Sequence, residues 1–420
     1  MALKILITPI TQALESRAAT ISLAVVAGYV ALCRGLRYYR RDQKHAHYPY
    51  KKREDFANMT TEDAFQIVKY IMSLEFPFMT EKALQFALFR TYGVPSISKL
   101  LCETRQLSDK RYASRRYADT TILIGEFLSQ SPTSDRANAA IARMNFIHSR
   151  YKTKISNDDN IYTLSLFVLE IERWVATYEW RPLTPMELCA FGTFMKSLGD
   201  AMGISWADLA HGPSNFRDGL QFVEDVKAWV EPYEQRAMVP NAWNHQLAEE
   251  TTSILLSGVP AFMQPTARQF VVAMMDERLR LAMIYEPPSS IYPALITLLT
   301  TTRNLFSRWL LPPRPSILRF NPISDHPDPK TGRYYQRIYQ AEPWYVNATF
   351  LARNAPSSWL RWALSQPYPD GKNYKPEGYT MFEVGPENME KLGREECEAT
   401  FERLMEGNTR GRCPFAFAKT

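Results

Sequence analysis

The sequence predicts an all-α protein with an apolar amino-terminal anchor. Three observations carry that reading. From about Thr60 to Leu311, apolar residues recur at spacings of three and four, with little strand-like alternation. Prolines and polar capping residues punctuate these runs. Ahead of them, the stretch Ala18–Cys33 holds sixteen residues without a charge, followed at once by a basic cluster. A chain of 420 residues with 45% hydrophobic and 22% charged content can bury a sizeable core, which excludes a disordered polypeptide.

The anchor comes first. Sixteen residues fall short of the roughly 20 that cross a bilayer, but Arg17 and Arg34 can snorkel, and Gly35 and Leu36 extend the apolar run. A cleaved signal peptide would end in small residues at a cut site. Here the run ends in Arg34, which reads as a stop signal and favours a retained single span. Between residues 34 and 55 eight basic residues face three acids, so this segment holds nearly all of the net charge of +6. That pattern marks a membrane surface, not a nucleic-acid-binding face. Positive residues prefer the cytosolic side, so the main domain is expected there. Residues 1–55 are read as anchor and juxtamembrane arm, 56–311 as the helical core, and 312–420 as a loop-rich extension holding 13 of the 28 prolines.

Helices are expected over 62–75, 109–128, 137–155, 161–178, 185–202, 216–232 and 267–283, with shorter ones near 357–365 and 386–405 in the extension. The extension should wrap the core, because Tyr334, Tyr335, Trp344, Trp359 and Trp362 would be costly to expose. Five scattered cysteines make neither a disulfide framework nor a zinc site; Cys102 and Cys189 read as core residues, and the domain should face a reducing compartment.

Two polar intrusions on apolar faces are the candidate chemistry. In 137–155, Ala137, Ile141, Met144, Tyr151 and Ile155 form a stripe, and His148 falls in its gap of seven. An inward imidazole is either a core histidine bonded to a neighbour or a metal ligand. In the preceding helix Arg116 and Thr120 share a face that continues through Leu123 and Phe127. A guanidinium there needs a strongly polar or anionic partner: a structural carboxylate such as Asp119 or Glu126, or a bound group. The remaining histidines (His45, His47, His211, His245, His326) lack metal-ligand spacing and read as surface residues. Cys413 in a GRCPFA stretch and the ExxR of Glu277 and Arg280 superficially match a haem-thiolate protein, but too few residues follow Cys413 for that fold. No phosphate-binding glycine loop and no GxSxG elbow is present.

The stretches RRYADT (115–120), RMNFIH (143–148), YTLSLF (162–167), YEWRPLT (178–184) and KSLGDAMGI (196–204) resemble fungal ER-bound oxygenases of mycophenolic acid biosynthesis, relatives of the latex-clearing rubber oxygenases. The resemblance extends from about Phe56 to the end, through FRTYGVPSISKLL (89–101), ARQFVVAMMDERLRLAM (267–283) and KPEGY (375–379). Against the rubber oxygenases only Arg-x3-Thr and the histidine remain.

The resemblance implies a globin-like helical core holding haem b, with His148 as iron ligand and Arg116 and Thr120 beside the haem. It implies an oxygenase that uses molecular oxygen to cleave a C=C bond in a lipophilic, prenyl- or terpenoid-like chain, in secondary-metabolite biosynthesis at the endoplasmic reticulum membrane. Lys152 matches a propionate-binding position, and one turn of helix after His148 would put it on the same face. The rubber oxygenases carry a possible lysine ligand where this chain has Asp119, which is therefore either an acid–base group or solvent-facing. A non-catalytic, membrane-tethered scaffold or lipid-binding protein is the alternative. Oligomeric state stays open.

Overall fold

The computed structural model describes residues 2–415, with side chains described from residue 17 onward, Asn408 aside. Its regular structure is helical. Among the described residues the only extended pairings are two isolated bridges, Ile323 with Gln336 and Tyr334 with Tyr379.

One long helix, α1 (Ala2–His47), opens the chain, and its portion from Arg17 is long and apolar enough to cross a membrane. Its basic end docks on the domain: Tyr38 meets Trp180 edge-on, and His45 Nε2 lies 3.2 Å from Glu187 Oε1. Eight helices then build the core in the order α2 (Thr61–Tyr70), α3 (Pro77–Thr91), α4 (Pro95–Glu103), α5 (Lys110–Ser129), α6 (Asp135–Ser149), α7 (Asn157–Tyr178), α8 (Pro185–Ala201) and α9 (Gly219–Ala237). Their starts follow capping chemistry. Thr60, Ser134, Ser156 and Asp218 each accept a backbone N–H three residues on, and Thr184 with Glu187 closes a capping box.

Helix ends depart from the sequence reading in three places. The helix expected over 137–155 stops at Ser149, whose hydroxyl donates to the Phe146 carbonyl at 2.8 Å and competes with the continuing ladder. α9 runs past Pro232 to Ala237, held by the buried Tyr233 and Glu234 beyond it. The stretch 267–283 divides into α11 (Gln264–Ala273), which follows α10 (Ala242–Leu255), and α12 (Glu277–Ala282). The division falls at Asp276, whose carboxylate caps the second piece through Leu279 N–H at 3.0 Å. α13 (Ile291–Trp309) follows; the tail carries α14 (Phe350–Arg353), α15 (Pro356–Ala363) and α16 (Arg394–Met405).

Buried ion pairs tie distant helices. Arg90 on α3 grips Glu234 on α9 through two hydrogen bonds of 2.8 and 2.7 Å, and Tyr162 of α7 donates to the same carboxylate at 2.9 Å. Arg181 does the same to Glu187 at 2.7 and 2.8 Å. α8 and α9 cross so closely that a Cβ on Gly192 would sit 2.0 Å from the Gly219 carbonyl oxygen. Only glycine allows that approach.

The tail lies against α5 and α6, with α16 along α6. Arg143 of α6, fully buried, donates to three tail carbonyls: Val384 at 2.7 Å, Leu392 at 2.8 Å and Met389 at 2.8 Å. Tyr379 OH donates to Glu126 Oε1 on α5 at 2.6 Å, beside the Arg136 guanidinium that pairs with the same carboxylate. Tyr334, Tyr335 and Trp344 are half-buried in this contact. Trp359 and Trp362 are not: they stand 57% and 59% exposed on α15, against the expectation that all the tail aromatics would be covered.

Two outcomes check this packing. Gly192→Ala should cost about 1–3 kcal/mol of stability by forcing the α8–α9 crossing apart, read as a lowered urea midpoint, while Gly258→Ala, with open space around it, leaves the midpoint unchanged. Arg143→Met should cost about 3 kcal/mol, because it strands the buried carbonyls of Val384 and Met389, and limited proteolysis should then cut between residues 384 and 392.

Candidate functional site

α5 and α6 are joined by a five-residue link and pack side by side, and Tyr117 of α5 comes near Gln85 on α3. The two polar intrusions expected from sequence meet where these helices converge. On α5, Thr120 Oγ1 donates to the Arg116 carbonyl at 2.8 Å, and Arg116 Nη1 donates to the same hydroxyl. The threonine therefore fixes the guanidinium one turn away. Among the described residues no carboxylate lies within ion-pairing distance of Arg116. Both structural partners weighed from sequence are engaged elsewhere: Glu126 by Arg136 and Tyr379, Asp119 by Tyr345.

His148 occupies the last turn of α6. It lies deep in the domain yet stays partly accessible, as do Arg116, Tyr117 and Thr120, and these side chains make up the candidate site. The imidazole makes no hydrogen bond with any described residue. Burial, and secondarily the Arg116 charge, hold its pKa down at about 4. It is therefore neutral, with a nitrogen lone pair free to bind a metal or accept a proton. Arg116 also acts on Tyr92, whose phenol burial pushes up to about 12. Tyr117, raised chiefly by burial, lies near Gln85 on α3. Tyr92 and Tyr117 are neighbours of Arg116 that the sequence reading did not single out; their only signal was position, next to Gly93 in one quoted stretch and next to Arg116 in another.

Asp119 points elsewhere. It is fully buried, which removes the solvent-facing reading. Its Oδ1 accepts from Tyr345 OH in the tail at 2.6 Å, and its Oδ2 has no partner. Burial raises its pKa to about 6, against the opposing pull of Tyr345, Arg116 and Arg115. The neighbouring Arg115 is also turned to the tail, donating to Glu390 at 2.6 Å. α5 thus divides its polar residues: Arg116, partly accessible and held by Thr120, acts on His148, while Arg115 and Asp119 turn to the tail.

Lys152 requires a correction. The expectation that it shares a face with His148 assumed a helix through 155. Because α6 ends at Ser149, Lys152 lies in the following turn, with an exposed side chain. The histidines read as surface residues are likewise tied down in part: His45 pairs with Glu187, His211 with Asp225 at 3.0 Å, and His245 Nδ1 lies 2.9 Å from the Met283 carbonyl.

No family model matches the chain. Curated relatives do. "ER-bound oxygenase mpaB'" of Penicillium brevicompactum is 42% identical over 399 residues, covering 94% of each chain. "ER-bound oxygenase mpaB" of the same organism is 40% identical over 362 residues, 85% of this chain and 86% of the relative. Its namesake in Penicillium roqueforti is 47% identical over 266 residues, 63% of this chain and 89% of that one. Identity at this level over most of the chain shows that it belongs to the ER-bound oxygenases of the mycophenolic acid biosynthesis type.

Proposed function

We propose that this oxygenase is haem b-dependent, with His148 as the iron ligand, and that it cleaves a C=C bond in a lipophilic, prenyl-like chain with molecular oxygen as co-substrate. The observation that carries the reading is the pairing of a neutral, partnerless imidazole with a guanidinium that has no carboxylate. Among the described residues no three His, Cys, Asp or Glu side chains cluster as a metal site. One imidazole suffices for iron only where a macrocycle supplies the other ligands, which suits haem.

Haem, when bound, supplies the iron at which oxygen is activated. The chain's own residues do the rest. His148 needs no proton removed before it ligates. Thr120 accepts from the Arg116 guanidinium, whose remaining N–H groups offer a fixed positive charge to an anionic group bound beside His148. Burial keeps Tyr92 and Tyr117 protonated, so they add no negative charge. Asp119, turned to the tail, acts as a positioning residue for α5 rather than as an acid beside the iron ligand. A propionate role for Lys152 requires a haem edge that reaches solvent at the 150–154 turn.

Membrane association fits the apolar helix α1 and the relatives' names. The basic residues after the apolar run support a single span with the domain in the cytosol.

Pyridine haemochrome spectra of the detergent-purified chain should give about one haem b per chain, with the Soret band lost in His148→Ala. A wild type that stays colourless after haem reconstitution sinks the haem reading and leaves a scaffold role. Arg116→Ala should keep its haem while turnover falls at least about tenfold; loss of haem together with activity would make Arg116 a structural or propionate residue. The depressed His148 pKa has a sign. The unfolded imidazole takes a proton near pH 6.5, the folded one only near 4, so its contribution to stability is full above 6.5 and declines as pH falls toward 4. Urea midpoints of the apo chain between pH 4 and 7 should lose that component in His148→Gln. Topology has its own readout: Asn58, in an exposed Asn-Met-Thr sequon, should carry no glycan when the chain is made in an ER-containing cell, and a glycan there would place the domain in the lumen.

A further inference from the structure

The exposed tryptophans of α15 belong to a pattern that the anchor helix does not account for. Among the described residues, seventeen of the 24 large apolar side chains exposed outside α1 fall within three stretches, residues 251–275, 287–324 and 343–369. Those stretches contain no Asp or Glu at all, in a chain with 44 acids; their formal charges are arginines only. Exposed apolar surface this concentrated marks an interaction site. The absence of acids within these stretches points to the partner: Arg268 and Arg303 pair with Glu249 and Glu179 of neighbouring elements, and the arginines left over suit anionic headgroups beside an apolar surface.

The stretches are linked in space. α13 packs on α11, with Tyr292 edge-on to Phe270. α11 follows the turn carrying Phe262, 83% exposed. That turn is tied to the tail around α15 by Gln340 donating to Leu255 O at 3.0 Å and Gln366 donating to Ser257 O at 3.1 Å. From this band Leu298, Leu299, Phe350, Leu351 and Trp359 stand out, each more than half exposed. In α13 the Thr297 and Thr300 hydroxyls donate back to the Pro293 and Ile296 carbonyls, which leaves the helix little polar need of its own.

The band is continuous with the anchor. Tyr29 OH donates to Leu310 O at 2.9 Å, Arg37 Nε to Leu311 O at 2.8 Å, and the Arg34 guanidinium lies 4.8 Å from the Trp309 ring centre. The carboxyl end of α13 therefore sits level with the point on α1 where the apolar run gives way to arginines. If that point lies at the headgroups, so does the end of α13, and the nearby apolar surface has lipid rather than water as its neighbour. We propose that α13, the 261–263 turn and the α14–α15 segment form a second membrane-contact surface, lying in the interface of the same bilayer that α1 spans. The domain is then seated on the membrane, not merely tethered to it. This rests on α1 being the membrane span, and the test separates the two.

The test uses the full chain in vesicles of neutral and anionic phospholipid, with nitroxide labels on cysteines introduced singly at Val26 (α1), Leu299 (α13), Leu360 (α15) and the exposed Lys391, the unsubstituted chain supplying the background. Collision rates with oxygen, which concentrates in lipid, and with a water-soluble nickel chelate are compared, and circular dichroism confirms that each labelled chain is folded. The expected result is an oxygen-dominated ratio at 26, 299 and 360 and a chelate-dominated one at 391. A ratio at 299 and 360 like that at 391, with 26 still in lipid, overturns the second surface and leaves the anchor standing. A chelate-dominated ratio at 26 as well overturns both. Labels at 299 and 360 shielded from both agents and dipole-coupled between copies would show that a second copy covers the band, which also overturns the proposal.

Discussion

The placement of the site depends on one buried cation, Arg143. A guanidinium removed from water costs several kcal/mol unless its donors are met, and here they are met by three carbonyls of the tail, with no carboxylate among them. The dependence runs both ways: the carbonyls of Val384 and Met389 leave solvent because Arg143 is there. α6 is thereby clamped between the rest of the core and a segment some 240 positions away in sequence. His148 lies five residues along the same helix, so a shift in the clamp is a shift in the imidazole. The clamp was not legible in the sequence, because its acceptors are backbone atoms that any residue could offer.

Against this background the pairing of Arg116 and His148 stands out by its lack of ionic partners. Several other interior charges are matched by an opposite one: Arg90 with Glu234, Arg181 with Glu187, Arg136 with Glu126, Arg53 with Asp218. The chain has the means to neutralise an interior arginine or to bond an interior histidine, and it leaves Arg116 and His148 without either. Unpaired polar groups in a core lower stability, and they persist where function requires them to meet something that is not part of the chain.

How far the sequence could be read follows from how local each cause is. Helix starts were legible, because a cap such as Ser134 or Thr184 acts within three residues. Helix ends were less so: Ser149 bonding back to Phe146 and Asp276 capping the next segment override a periodicity that continues across them. That one misreading of α6 also misplaced Lys152. Arg116, Thr120 and His148 could be found because a polar residue on an apolar stripe is a local anomaly. The direction of Asp119 could not, since Tyr345 lies 226 positions away.

The failed expectation for Trp359 and Trp362 is of another kind. Fully burying a large apolar side chain is worth about 1.5–3 kcal/mol relative to leaving it in water, and from that figure the tail aromatics should all be covered by protein. Tyr345 and Tyr379 obey, and the two tryptophans do not. The arithmetic holds; what fails is the assumption that water is the solvent throughout. A chain whose first helix is apolar for sixteen uncharged residues has lipid within reach. The segments that break the burial rule are continuous with that helix and lack acids, whereas the segments that obey it lie against α5 and α6. For the proposed lipophilic substrate the division has a mechanical consequence: a domain seated on the bilayer holds its candidate site at a set height above the lipid, where a swinging tether would leave it to diffuse.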